Sequence, residues 1–231
     1  YGRGELSPGS DLDILILHNG KIAQEKLQAI VNDVLYPLWE RNSVDHSVRT
    51  RSETRESAAS DLRVATGLLD IRLIAGNPDL VAAVQGDSLE YWRKNTKQNL
   101  PELERSLSER HVRAGELAYL LEPDLKEARG GLRDIQALRA IASSGAIHVP
   151  LEKISWAEST LNNVREALHT ASGRGKNRLL FQEQDKVAKI LEYKNADAMM
   201  SDVARAARSV DYLLDYTWHA LEHKGKDGFG R

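Results

Sequence analysis

The chain has 231 residues, which is enough for one large domain or two small ones. With 41% hydrophobic residues, 29% charged residues and a net charge of −2, it should be globular, and bulk charge should not draw it to nucleic acid or membranes. Without cysteine it has no disulfides, no thiolate catalysis and no cysteine-based zinc site. The apolar runs are too short for a membrane span, and this composition suits a cytoplasmic protein.

The first part of the chain combines strand and helix patterns. In chain order it contains a turn-rich start at 1–10, an apolar strand at 11–18, an amphipathic helix at 21–41, an alternating strand at 44–50, a polar stretch at 51–60 and an apolar stretch at 61–75. The Gly-Asn-Pro sequence that begins at Gly76 then ends the apolar pattern.

From residue 88 onward the pattern is helical, with Pro101 as a predicted kink or restart. A loop at 122–131 is followed by helices that we predict at 132–143, 155–172, 183–191 and 196–223. Because strands come first and helices later, we predict an α+β protein, with a sheet-containing domain at 1–85 and an all-helical domain at 86–231.

Two aspartates one residue apart, Asp11 and Asp13, open the first predicted strand. Side chains at i and i+2 leave the same face of a strand, about 6.6 Å apart at Cα. Two like charges held together need a positive partner, and divalent cations such as magnesium take carboxylate oxygens. A pair of such ions can clamp the oxygens of a phosphoryl displacement. A solvated turn is the structural alternative for so short a motif.

Five motifs follow one another along the chain. They are Tyr1–Asp13, His46–Thr50, Leu69–Gly76, Leu121–Glu127 with Gly130–Ile135, and Asn177–Phe181. In this order they resemble the nucleotidyltransferase region of the PII uridylyltransferase/uridylyl-removing family. A stretch similar to Gly130–Ile135 also occurs in glutamine synthetase adenylyltransferase. The resemblance implies a DNA-polymerase-β-like nucleotidyltransferase domain followed by a helical domain.

The resemblance also implies an activity. A magnesium-dependent enzyme would transfer UMP from UTP to a tyrosine of the nitrogen-signalling protein PII and release pyrophosphate. Actinobacterial relatives instead adenylylate PII with ATP, and the sequence leaves UTP and ATP open. Two alternatives stand beside this prediction: a non-catalytic nucleotide-sensing module of the same fold, and a nucleotidyltransferase of another protein such as glutamine synthetase. No nucleic-acid or membrane partner is predicted.

By the same resemblance, Asp11 and Asp13 are the predicted metal ligands and belong to the catalytic set. A third carboxylate is expected to help accept the proton of the attacking hydroxyl. Asp70 matches an acidic position of the third motif and is preferred. Asp45 lies on the second predicted strand, where this fold class usually places that group, but the family more often has glycine there. A salt bridge is the structural alternative for both residues.

Nucleotide-binding residues are predicted in two groups. The first, near the start of the chain, consists of Gly2, Arg3, Gly4 and Ser10. The second consists of Lys126, Gly130, Gly131 and Arg133, where a glycine pair ahead of a helix leaves N–H groups free for an anion. Tight turns and solvated basic side chains are the structural alternatives.

The resemblance also bears on what the chain lacks. The family carries a Gly-Gly pair ahead of the position of Tyr1, so we expect part of the phosphate-binding loop to lie upstream. The removing activity of the family belongs to an HD phosphohydrolase domain, and this chain contains no His-Asp dipeptide. We therefore expect it to transfer nucleotide and not to remove it.

Overall fold

The structure, a computed structural model, describes residues 5–40, 42–173 and 175–227. These residues form two compact units. The first contains the described residues up to Leu6 together with Ser10–Lys94, and the second contains Ser7–Gly9 and the chain from Asn95 onward. The units therefore divide after Lys94, whereas the sequence analysis divided the chain after residue 85.

In the first unit, strands β1 (Leu12–His18) and β2 (Val44–Thr50) form a parallel two-stranded sheet. Parallel neighbours need a crossover connection, which helix α1 (Gln24–Trp39) supplies. Val31 and Leu35, one helical turn apart, are the buried residues of α1. The two predicted strands and the helix between them are confirmed.

The polar stretch that follows β2 is a helix, α2 (Arg51–Ser60). Thr50 and Glu53 form a capping box, in which the Thr50 hydroxyl accepts from the Glu53 N–H at 3.3 Å and the Glu53 carboxylate accepts from the Thr50 N–H at 2.7 Å. This Thr-x-x-Glu pattern can be read from sequence and predicts a helix start, although the stretch lacks an apolar face.

Two further helices complete the first unit, α3 (Leu62–Leu68) and α4 (Pro78–Lys94). Asp61 caps α3 by accepting a hydrogen bond from the Arg63 N–H at 2.7 Å. The segment between α3 and α4 contains no helix or strand.

The second unit is built from helices. They are α5 (Thr96–Ala114), α6 (Leu132–Ser144), α7 (Ser155–Ser172), α8 (Phe181–Ile190) and α9 (Ala196–Asp227), with short 3-10 turns at Leu117–Tyr119 and Leu151–Ile154. Pro101 lies inside α5, and the helical pattern restarts at Asn95 rather than at this proline. The core draws on apolar residues of α6, α7 and α9, among them Leu138, Ile141, Leu161, Leu168, Val203 and Val210.

The described residues are thus mostly helical with one small sheet, which is consistent with the predicted α+β class. The four helices predicted after residue 131 are all present, each within a few residues of its expected limits. None of the described helices is both long enough and apolar enough to cross a membrane.

Candidate functional site

Carboxylates from both strands share one face of the small sheet. Asp13 is paired in register with Asp45 on the neighbouring strand, about 4.8 Å away by sheet geometry. Asp11 lies two residues before Asp13 and directly ahead of β1. All three residues are exposed. The face can therefore present several carboxylate oxygens to a cation, the ligand type that magnesium prefers.

Within the described ranges, no group of three or more histidine, cysteine or acidic side chains is arranged to hold a metal ion. The assignment of Asp11 and Asp13 as metal ligands stays a prediction.

Asp70 is not part of this strand pair and comes later in the sequence, after α3. It follows α3 in a turn, where its N–H donates to the Gly67 carbonyl at 3.2 Å, and it is half-buried. The residues after it are irregular, and Ile74 among them is 71% exposed. The sequence motif favours Asp70 as the third carboxylate, whereas the strand register favours Asp45.

The first predicted nucleotide-binding group is described only in part. Gly2, Arg3 and Gly4 lie outside the residues that the structure describes. Ser10 is half-buried and directly precedes Asp11. Its predicted contact with a phosphate oxygen stays a prediction.

The second predicted group lies at the start of α6, where the backbone N–H groups have protein acceptors. Gly130 N–H donates to Asp134 Oδ2 at 2.6 Å. The next three N–H groups donate to carbonyls, Gly131 to Ala128 at 2.8 Å, Leu132 to Leu125 at 3.0 Å and Arg133 to Lys126 at 3.1 Å. The free N–H groups that the sequence analysis expected here are therefore occupied in this structure.

The glycine pair has a structural role of its own. Gly130 has a φ of +83°, and a Cβ added to it would lie 2.5 Å from the Ala207 carbonyl oxygen on α9. A Cβ on Gly131 would lie 2.7 Å from the Ala128 carbonyl oxygen. Of the basic residues in this group, Arg133 is exposed and pairs with Glu127 at 2.9 Å, while Lys126 is half-buried.

We expect Gly130→Ala to destabilise the second unit by about 3 kcal/mol, because left-handed strain and a backbone clash add together. Gly145→Ala is the matched control, since Gly145 also has a positive φ of +72° but has open space around it. The control should lose only about 1–2 kcal/mol, the cost of the strain alone. Urea unfolding of the two variants measures the difference, and equal losses would contradict the clash with Ala207.

A buried charged cluster that was not predicted from sequence lies beside these glycines. Asp134 is fully buried and accepts hydrogen bonds from the Arg110 guanidinium, from His111 Nε2 at 2.9 Å and from the Gly130 N–H. Burial lowers the pKa of Arg110, and the Asp134 charge opposes that change. Asp134 lies in the first turn of α6, where it shares a helical face with the buried residues Leu138 and Ile141.

The fourth and fifth motifs are joined to each other. Leu125 N–H donates to the Asn177 carbonyl at 2.9 Å, and Leu179 N–H donates to the Pro123 carbonyl at 2.9 Å. The Asn177 side chain in turn accepts from Arg165 Nε on α7 at 2.7 Å. The two motifs thus form one local structure, although they are about fifty residues apart in the sequence.

Two residues of the first motif, Ser7 and Gly9, contact residues close in sequence to the fifth motif. Ser7 Oγ and His169 Nδ1 form a buried hydrogen bond of 2.5 Å. Close by, the chain at Gly9 passes so near Gly175 that a Cβ on Gly175 would lie 1.9 Å from the Gly9 carbonyl oxygen. His169 was not among the residues predicted from sequence, because its partner lies 162 residues away.

Burial lowers the pKa of His169 below its ordinary value of 6.5. The nearby charges of Arg165 and Lys126 lower this pKa further. Hydrogen bonding at Asn177 and Lys176 raises it but does not cancel the shift. The unfolded chain therefore binds a proton that the folded chain does not, so stability falls as pH falls through this range. Urea unfolding at about pH 7.5 and about pH 5.5 should show a smaller acid loss for His169→Asn than for the wild type. Identical losses would contradict the shift.

Comparison with known proteins identifies the class of protein. A relative from Streptomyces coelicolor is 48% identical over 222 residues, which is 96% of this chain and 26% of the relative. One from Mycobacterium tuberculosis is 39% identical over 220 residues, covering 91% of this chain and 27% of the relative. One from Vibrio campbellii is 36% identical over 235 residues, covering 92% and 26%. All three are named bifunctional uridylyltransferase/uridylyl-removing enzyme, so the class is that of nucleotidyltransferases.

The family follows from a second comparison. Residues 98–218 match the family model described as GlnD PII-uridylyltransferase, and the chain belongs to this family. The resemblance in the sequence analysis is confirmed. The chain spans about a quarter of the length of the curated relatives named above. No solved structure is significantly similar to the chain.

Proposed function

We propose that this chain transfers UMP or AMP from UTP or ATP to a tyrosine of the PII signalling protein and releases pyrophosphate. The observation that carries the proposal is the pairing of Asp13 with Asp45 at the start of the parallel strand pair, with Asp11 two residues before Asp13 in the chain. Membership of the GlnD PII-uridylyltransferase family supports the same reaction. The first unit would be the DNA-polymerase-β-like domain and the second the helical domain that follows it.

In this proposal Asp11 and Asp13 hold magnesium. The donor set fits in its chemistry, because both side chains are exposed carboxylates, the ligand type that magnesium prefers. Bound magnesium would offset the charge of the triphosphate and favour departure of pyrophosphate. The tyrosine oxygen bonds to the α-phosphorus, the bond between that phosphorus and the α–β bridging oxygen breaks, and the tyrosine proton passes to a carboxylate.

Two carboxylates compete for the role of proton acceptor. We propose Asp70, because it matches the acidic position of the third motif. Asp45 is the second candidate, since it lies opposite Asp13 in the sheet. In the first unit, Ser10 remains a proposed contact of the nucleotide phosphates, with Gly2, Arg3 and Gly4. Lys126 and Arg133 remain a second, separate candidate group for binding phosphate in the second unit.

The direct test is a transfer assay with purified PII, magnesium and UTP or ATP labelled at the α-phosphate. We expect the label on PII, preferentially from one of the two nucleotides. A longer version of the protein should be assayed in parallel, because the chain spans about a quarter of the length of its curated relatives. Nucleotide binding without transfer in either version would favour the nucleotide-sensing module. Labelling of glutamine synthetase in place of PII would favour the other alternative.

A further inference from the structure

We propose that a cavity between α5 and α9 of the second unit binds a small organic diamine, a short carbon chain with an ammonium group at each end. The cavity has a volume of about 200 Å³. Sites for drug-sized ligands are larger, at about 300–1,000 Å³. Every residue that lines the cavity belongs to the second unit, and none is among the site residues predicted from sequence. The inference is independent of the proposed transfer reaction.

Two glutamates that line the cavity lack a strong cationic partner within the described ranges. Glu104 lies on α5 and Glu222 on α9. Glu104 is half-buried, and its carboxylate has no hydrogen bond or ion pair with any residue that the structure describes. Glu222 is exposed, and the 4.0 Å between its Oε2 and His219 Nδ1 is too long for a hydrogen bond. Because a carboxylate partly withdrawn from water is costly unless it is paired, the site favours a cation.

Arg129 also lines the cavity, but its guanidinium is already paired. Its Nε donates to Asp211 at 2.6 Å and its Nη2 donates to Asp215 at 2.9 Å. Because Asp215 is itself a lining residue, the lining includes three carboxylates and one guanidinium. The cavity therefore disfavours ligands that carry phosphate or carboxylate groups.

Two ring side chains add electron-rich surface to the cavity. His111 uses Nε2 for its hydrogen bond to Asp134 at 2.9 Å, so in the neutral imidazole with its proton at Nε2, the Nδ1 atom is an acceptor. Trp218 on α9 is half-buried, and the face of an indole ring attracts organic cations. An ammonium group has three N–H donors and no acceptor, and therefore matches both rings as well as the glutamates.

The apolar part of the lining fits the carbon chain of a diamine. Leu107 on α5 and Leu214 on α9 are buried residues that also line the cavity, and contact with methylene groups would remove further apolar surface from water. Two ammonium groups joined by a short chain can pair with Glu104 and Glu222 on the two helices. A metal ion fits less well, because no group of three or more histidine, cysteine or acidic side chains among the described residues is arranged to hold one.

Equilibrium dialysis of the whole chain against radiolabelled 1,4-diaminobutane, at about 0.15 M salt to screen loose surface binding, tests the proposal. We expect saturable binding with a stoichiometry of one, and 1,4-butanediol, the uncharged analogue, should not compete. Glu104→Gln should weaken binding about 10-fold, because a neutral acceptor replaces a charged one. Trp218→Leu should weaken binding about 3-fold through loss of the aromatic face.

Glu102→Gln is the matched control, since Glu102 is a half-buried glutamate on the same helix that does not line the cavity. It should bind the diamine as the wild type does. The diamine should also raise the Tm of the wild type and of Glu102→Gln more than that of Glu104→Gln, because a ligand stabilises the folded state that binds it.

Three results would overturn the proposal. The first is equal affinity of Glu104→Gln and Glu102→Gln for the diamine. The second is the absence of saturable binding up to about 10 mM diamine. The third is displacement of the diamine by an equal concentration of magnesium, which would indicate a general cation site. The dialysis contains neither nucleotide nor PII, so a failure of the transfer reaction would not alter its outcome.

Discussion

Replacing Asp11 or Asp13 with asparagine is expected to lower the rate of nucleotidyl transfer at least about 1,000-fold, because metal-assisted charge stabilisation provides several kcal/mol at the transition state. Asparagine keeps the size of the side chain but loses the charge that holds a divalent cation. The assay measures incorporation of the α-labelled nucleotide into PII at saturating magnesium. Both residues are exposed, so the free energy of unfolding should change by no more than about 0.5 kcal/mol.

Asp33→Asn serves as the control, since Asp33 is an exposed aspartate of the same unit on α1. It should transfer nucleotide at the wild-type rate. Full activity of Asp11→Asn and Asp13→Asn would contradict the metal assignment. A loss of folding in either variant, seen by circular dichroism, would contradict the view that these carboxylates serve only the reaction.

The same assay distinguishes the two candidates for the third carboxylate. A general base contributes about 100-fold or more, so Asp70→Asn should lose at least that factor. Asp45→Asn should keep most of its activity. The opposite ranking would assign the role to Asp45, in agreement with its register opposite Asp13.

Replacing Asp134 with asparagine is expected to destabilise the helical unit by about 3–5 kcal/mol, because breaking a buried ion pair leaves an uncompensated charge. Asp134 is fully buried and is the shared acceptor of Arg110, His111 and the Gly130 N–H. In the variant the Arg110 guanidinium keeps its charge but loses its anionic partner. Urea or thermal unfolding of the purified variant measures the loss.

A more accessible ion pair of the same unit provides the comparison, in which Asp202 also accepts a hydrogen bond from the Tyr193 hydroxyl at 3.1 Å that asparagine can keep. Asp202 pairs with Arg205 at 2.9 Å, and the two side chains are 36% and 62% exposed. Asp202→Asn should therefore cost no more than about 1 kcal/mol. If Asp134→Asn were equally mild, the cluster would not hold the start of α6 in place.

Local patterns determined much of the fold. The apolar run of β1 and the alternation of β2 have the period of a strand, while α1 and α6–α9 have the period of a helix. Helix α2 was not predicted because it has no apolar stripe, although the Thr50–Glu53 capping box marks its start. Asn95, and not Pro101, separates α4 from α5.

For the candidate site, too, the sequence determined some features and the tertiary structure determined others. The spacing of Asp11 and Asp13 predicted that both carboxylates leave one side of a strand, because side-chain alternation is a local property of the backbone. At the start of α6, sequence indicated an anion site, whereas in the structure the amides are bonded and Gly130 packs against Ala207. Glycine's lack of a side chain is visible in sequence, but the neighbour that requires it is not.

The sequence by itself therefore determined the strands, most helices, the carboxylate pair and the family of this chain. Only the tertiary structure decided that Asp45 lies opposite Asp13, that Asp134 is buried with Arg110, and that His169 binds Ser7. The physical reason is the distance along the chain. Local periodicity is set by neighbours within a few residues, whereas these contacts join residues 24 to 162 positions apart and form only when each unit folds.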